Sequence, residues 1–234
     1  GLTAAAALQA RGIESQVYER AGSLSEVGAG IQIGPNGVRV LYAMGYRRQL
    51  ETFACSTPDF ISVTFDTAKF RLKEALSSAS VAKYGVPYLT AHRADLYGLL
   101  ASGVAEKNIH INANCNNVEN IGSAAVARFD DGGEIEADII IGADGVRSIV
   151  REKLFGKDMP RYTGQTCFRA MVPMELVPGS IGPDNLNLHV YNAGWIGPKG
   201  HVICYPIRGG KVLNMFAGFV NDGWTEESWT VPTS

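Results

Sequence analysis

In the stretch GHVICYP a histidine and a tyrosine, His201 and Tyr205, stand four residues apart. Side chains of an extended strand alternate between its two faces, so both point one way and Cys204 points the other. A histidine, with an unperturbed pKa of about 6.5, beside a phenol can take a proton from a bound hydroxyl near neutral pH. Read alone, His201 is better taken as a surface residue at a strand start after Gly200. A second candidate is DIIIGADGVRSIVRE, where Ile139, Ile140 and Ile141 predict a buried strand running into Gly142-Ala143-Asp144-Gly145 and a basic helix with Arg147 and Arg151. There the glycines permit close backbone approach, and Asp144 either accepts hydrogen bonds from a ribose or nearby amides, or caps the helix. A third is the opening GLTAAAALQARGIESQVYER. Its helix N-terminus at Gly1 suits a phosphate group, and Glu19, after the next strand, suits a ribose hydroxyl. An alanine-rich helix followed by a strand is also an ordinary packing unit.

These residues need elements to position them. Ala4 to Ala10 are strong helix formers stopped at Gly12, and Ile13 to Tyr18 predict a short strand. Pro35 fits a first helical position, with Val38, Leu41 and Tyr42 as the apolar face. Phe60 to Phe70 alternates, predicting one strand with one wet face. A helix is expected from about Arg93, a strand from Ile109, and a hairpin around Asp131-Gly132. From about Tyr162 the texture changes to alternating strands, two of them joined by a tight turn at Arg208-Gly209-Gly210-Lys211. The expectation is an α/β domain over 1–58 and 88–160, and an antiparallel β-sheet domain over 59–87 and 161–234. His189 and Tyr191 are alternatives to His201 and Tyr205 on the preceding strand. His92 reads as local packing, and Trp195, Trp224 and Trp229 as sheet packing.

Composition narrows the function. Hydrophobic residues make up 46% and charged residues 19%, which is globular, and the net charge of -2 argues against nucleic acid or an anionic membrane surface. No apolar run approaches the roughly 18–20 residues that span a bilayer. The cysteines, Cys55, Cys115, Cys167 and Cys204, form no CxxC pair, which suggests reduced thiols and a cytoplasmic location, with no metal site.

Four pieces in order carry a resemblance: Gly1 at the head of its helix, VYER with Glu19, HRADL with Arg93, and IIIGADGVRSIVR with Asp144. Together they resemble the single-component FAD-dependent aromatic hydroxylases, the family of para-hydroxybenzoate and salicylate hydroxylases. VGAGIQIGPNGVRVL resembles the salicylate hydroxylase branch. The resemblance implies a Rossmann-like FAD-binding domain, its first strand missing, with an antiparallel substrate sheet. It aligns Gly1 with the last glycine of a GxGxxG turn, so that the chain is expected to be truncated at both ends.

By the same resemblance Glu19 binds the adenosine ribose of FAD with Arg20 beside it, and Arg93 meets the pyrophosphate or ribitol. Asp144 and Gly145 belong to a motif touching FAD and implicated in nicotinamide cofactor use. Gly30 and Gln32 lie near the flavin ring or the substrate entrance. His201 and Tyr205 match a pair that binds substrate in some hydroxybenzoate and hydroxynicotinate hydroxylases. NADH or NADPH, O2 and a small aromatic acid complete the implied reaction, through a flavin C4a-hydroperoxide. A later GD motif of the family has no match here, so the chain by itself is expected to hold FAD poorly and to be inactive. Two other readings stand beside this one: a related flavoprotein acting on an apolar polycyclic or isoprenoid substrate, and a non-catalytic flavin-binding module. A carboxylate-binding cation in the pocket, Arg169 or Arg208, would favour the aromatic acid.

Overall fold

A computed structural model describes residues 1–24 and 29–221; Trp224 and Trp229 lie outside the described residues. In chain order the first elements are α1 (Leu2–Gln9), β1 (Val17–Tyr18), β2 (Gly30–Ile33), α2 (Pro35–Ala43), α3 (Arg47–Phe53), β3 (Asp59–Thr64) and β4 (Phe70–Ala75). Then come α4 (Ser77–Tyr84), β5 (Leu89–His92), α5 (Arg93–Ala101), β6 (Ile109–His110), β7 (Cys115–Ile121), β8 (Ala124–Phe129) and β9 (Glu134–Ala137). The last are α6 (Ile149–Phe155), β10 (Gln165–Pro173), β11 (Asn192–Gly197), β12 (Gly200–Ile207) and β13 (Val212–Val220). Two compact units form, Gly1–Ser25 with Leu100–Tyr162 and Glu26–Leu99 with Thr163–Ser234.

In the first unit α1 buries Leu2, Ala5 and Ala6. Gly12, at φ +74°, ends it: its N–H donates to Gln9 O and that of Ile13 to Leu8 O, the two bonds that a left-handed glycine allows. The expected strand from Ile13 shortens to β1, which pairs in parallel with β6. Strands β7, β8 and β9 form a meander whose second turn holds Asp131-Gly132. Gly132 there sits at φ +85°, and Asp131 Oδ1 accepts the Gly133 N–H at 2.8 Å.

One expectation fails in this unit. Ile139 to Ile141 form no strand; Ile140 packs toward the Val118, Ala127 and Phe129 core, while Ile139 and Ile141 are 77% and 57% exposed. An all-apolar strand needs partners on both edges and cover on both faces. Among the described residues no strand pairs with this segment. Asp144 therefore follows an irregular segment, not the carboxyl end of a strand.

The second unit is built on a six-stranded sheet in the order β10-β13-β12-β11-β3-β4. The expected single strand over 60–70 is instead a hairpin, β3 and β4, and β3 has no wet face, since Ile61, Ser62 and Val63 are all buried. Nor is the sheet wholly antiparallel: β11 runs parallel to β3. Hairpins enforce antiparallel neighbours, whereas β3 and β11 meet across a long connection that leaves direction open. One face of this sheet is the core, with Ile61, Val63, Ala193, Cys204 and Leu213 buried and Trp195 packed against them. His189 and Tyr191 lie outside the strands, His189 in a turn with its Nε2 3.0 Å from Val177 O, so neither shares a strand face with the site. Beside the sheet β2 pairs with β5, and α2 starts on Pro35 and buries Val38 and Leu41.

Candidate functional site

The face of the sheet opposite the core lines a cavity. Along β12 the side chains of Val202 and Cys204 pack on the core, while His201, Ile203 and Tyr205 line a cavity of about 170 Å³. Along β13 Leu213 and Met215 go to the core, and Asn214 and Phe216 to the cavity. Ala29, Gly30, Gln32 and Arg169 complete the lining. A cavity near 150 Å³ holds a benzene ring, so this one has room for a single ring.

His201 and Tyr205 thus share one cavity, as their spacing requires, and Gly30 and Gln32 join them there. The His201 ring lies 5.6 Å from that of Phe216, and a Cβ on Gly218 would stand 3.0 Å from its Cε1. Phe216 packs beside the ring, and the missing side chain at Gly218 leaves room for it. Burial, with Tyr88 nearby, pushes the Tyr205 phenol up to about 12, although Arg169 pulls it down. At neutral pH Tyr205 is therefore a hydrogen-bond donor and not a base. An ultraviolet difference titration of the protein against Tyr205→Phe should show this phenol ionising only near pH 12.

Arg208 lies elsewhere. Its Nε and Nη2 donate to the Asp95 carboxylate at 3.1 and 3.2 Å, and Nη2 also meets His92 Nδ1 at 3.2 Å. Of the two candidate cations, Arg169 is the one that lines the cavity. Sequence reasoning missed Asn214, whose Oδ1 accepts the Gly30 N–H at 2.6 Å. The tight turn at 208–211 could have found it, since it registers Ile207 on Val212 and hence Tyr205 opposite Asn214. Arg93 begins α5, and its N–H donates to Ala29 O at 2.8 Å, next to the cavity wall.

The other candidates belong to the first unit. Gly1 precedes α1, whose first amides receive no side-chain cap, and it lies close to Ala143, a Cβ there standing 3.8 Å from that residue's own. Gly1 and the Gly142–Gly145 loop are therefore neighbours. Glu19 follows β1, and one of its oxygens accepts the Ala21 N–H at 2.9 Å; Arg20 is exposed. The carboxylate of Asp144 serves α6: Oδ1 accepts from Ser148 Oγ at 2.6 Å, and Oδ2 accepts from Ile149 and Val150 N–H at 2.6 and 3.3 Å. Gly145, at φ +82°, turns the chain there with nothing within 4 Å of an added Cβ.

Partial burial opposes ionisation of Asp144, but the bonds from Ser148 and the α6 amides outweigh it and hold its carboxyl below the usual range. A depressed pKa means stability present above the unfolded value of 3.8 and lost as pH falls through the lower folded value. Asp144→Ala should cost about 0.5–2 kcal/mol and flatten that acid-side loss, read from urea midpoints across pH 2–6.

The chain belongs to the family described as FAD binding domain, whose sequence profile matches residues 1–178. Among its relatives, 3-amino-4-hydroxybenzoate 2-monooxygenase of Streptomyces cremeus is 36% identical, over 93% of this chain and 53% of its own length. The 6-hydroxynicotinate 3-monooxygenase of Pseudomonas fluorescens is 33% identical, over 97% of this chain and 60% of its own. The chain thus spans little more than half the length of these relatives. Klebsiella pneumoniae HpxO, solved with FAD and uric acid, superposes with a TM-score of 0.83 at 23% identity, over 97% of this chain and 56% of that one, which shows the fold.

The cofactor of the family is FAD, and the residues present suit its polar parts. Uncapped amides at the head of α1 are donors for a pyrophosphate. Glu19 keeps a carboxylate oxygen beyond its bond to Ala21 for a ribose diol.

Proposed function

We propose that the protein, loaded with FAD, hydroxylates a small aromatic acid of the salicylate or hydroxybenzoate kind, using NADH or NADPH and O2. The observation that carries this is the meeting of Arg169, His201 and Tyr205 around one ring-sized cavity. Curated relatives named for aminohydroxybenzoate, 3-hydroxybenzoate and 6-hydroxynicotinate support the same class.

Within this reading residues 1–58 and 88–160 form a Rossmann-like FAD domain, and 59–87 with 161–234 the substrate domain. Gly1 and the head of α1 would hold the pyrophosphate, and Glu19 the ribose with Arg20 beside it. Arg93 would meet phosphate or ribitol, and Asp144 and Gly145 would shape the neighbouring loop. Gly30 and Gln32 would approach the flavin ring. FAD, when reduced, supplies the activation of O2. The chain's own part is to orient the ring and move one proton. Arg169 brings a positive charge and N–H donors to the side of the cavity where the carboxylate would lie. His201 takes the proton of the ring hydroxyl, and Tyr205 donates a hydrogen bond to the oxygen left behind, which makes the ring more nucleophilic. Ile203 and Phe216 keep water from the ring.

The test is NADH and NADPH oxidation with oxygen uptake by the protein expressed from its whole reading frame, across salicylate, hydroxybenzoates and hydroxynicotinates. Strong stimulation by one of them, with hydroxylated product, is expected. Bound flavin with no response to any phenolic acid would sink the reading and promote an apolar substrate.

A further inference from the structure

Strand β13 carries a glycine, Gly218, for which the backbone has no use. It pairs with Cys167 on β10 and His201 on β12, and the register runs unbroken on both sides, so no bulge calls for it. Nor does its φ lie in the left-handed region. A glycine inside a strand weakens it, and without a bulge it marks a place where something lies close above the backbone. Here that is the His201 imidazole. A Cβ on Gly218 would stand 3.0 Å from His201 Cε1, 3.3 Å from its Nε2 and 3.0 Å from Phe216 Cε1. The two rings, 5.6 Å apart and tilted by 34°, share the space that a side chain would fill. His201 therefore leans from β12 across β13. By strand alternation the titratable or charged groups on the same face of the flanking strands are Cys167 and Arg169 on β10 and Tyr205 on β12.

We propose that Gly218 is a positioning residue: its missing side chain is the seat of the His201 imidazole, and through that ring Gly218 sets where the proton-accepting nitrogen stands. The inference rests on the aromatic-acid reading above, in which His201 takes the proton of the ring hydroxyl. The strand backbone at this position accepts an L side chain, so Gly218→Ala brings no backbone strain. The atoms it crowds are the far ends of two half-buried rings, which can turn about their own side-chain bonds. The substitution therefore moves the imidazole and leaves the sheet in place. Misplacing a reacting group by about 1 Å costs on the order of 10²-fold in rate.

The experiment compares Gly218→Ala, His201→Gln and the double variant, each FAD-loaded and expressed from the whole reading frame. Gly218→Ala is expected to keep its urea midpoint and its KM for the acid, and to lose about 10–100-fold in hydroxylation rate at pH 7. The deficit should shrink toward about pH 10, where the substrate arrives ionised. Added to His201→Gln, the same substitution is expected to change the rate no further. NMR of the histidine rings gives a readout apart from turnover. The His201 Cε1–H signal, known by its loss in His201→Gln, should shift in Gly218→Ala as the ring leaves Phe216, with the signals of His92, His110 and His189 unmoved. An unchanged rate, an unmoved His201 signal, or an equal loss in both backgrounds overturns the inference and leaves the aromatic-acid reading in place. If Gly218→Ala does not fold, the double variant decides: its folding shows that the ring was the obstacle, and its failure overturns the inference. No turnover of any phenolic acid by the unaltered protein overturns that reading, and the signal then decides alone whether Gly218 seats the ring.

Discussion

Replacing His201 by glutamine is expected to lower the hydroxylation rate of the FAD-loaded protein about 10²–10⁴-fold at neutral pH while flavin content is unchanged. The argument is one of elimination within the cavity. Tyr205 keeps its proton until about 12 and so takes none from a phenol near pH 7. Arg169 has no lone pair to offer, and the Asn214 and Gln32 side chains are amides, which take no proton near neutral pH. That leaves the imidazole. The deficit should shrink as pH rises toward the substrate's own phenol pKa, near 10, where the ring arrives already ionised. Steady-state rates of the two proteins across pH 6–10 provide the check. A His201→Gln rate equal to that of the unaltered protein at pH 7 would remove the histidine from the chemistry.

Gly30→Ala is expected to destabilise the protein by about 1–3 kcal/mol and to abolish ligand binding. An added Cβ would stand 2.5 Å from Asn214 Cγ and 2.7 Å from Tyr205 Cε2. Neither neighbour can swing aside, since both side chains are buried on adjacent strands of the sheet. The strand carrying Gly30 must therefore retreat, and with it goes the 2.6 Å bond to Asn214 that shapes the cavity. Gly98→Ala is the control. Gly98 lies within α5, has nothing within 4 Å of an added Cβ and needs no left-handed backbone. There alanine should gain about 0.5–1 kcal/mol through helix propensity. Urea midpoints of the three proteins measure both effects.

The pairing of His201 with Tyr205 was legible because strand alternation is a local rule that a short segment obeys wherever it folds. For the same reason the 208–211 turn and the Asp131-Gly132 hairpin were foreseeable. The failures are of another kind. Ile139 to Ile141 have the composition of a buried strand, but a strand exists only with its neighbours, and composition says nothing of who they are. The break between β3 and β4 was hidden inside a run whose alternation continues through the turn at 66–69. Arg169 and Arg208 were indistinguishable as residue types; what separates them is Asp95, 113 positions from Arg208 in sequence. Asp144 showed two uses on paper, and its three hydrogen bonds within the α6 terminus were one of them.

The Gly30–Asn214 bond joins residues 184 positions apart. Protein synthesis at 5–20 residues per second therefore leaves roughly 10–40 s between the making of one side of the cavity and the making of the other. Throughout that interval β2 waits without the strand that completes its wall, and for most of it β3 waits for β11. No ligand of this cavity can help the region fold early, because its lining is incomplete until the β12–β13 hairpin arrives. Ligand then acts only on the finished state, slowing its unfolding without hastening its formation. A nascent chain with an exposed β3 edge for so long is the form most in need of a chaperone.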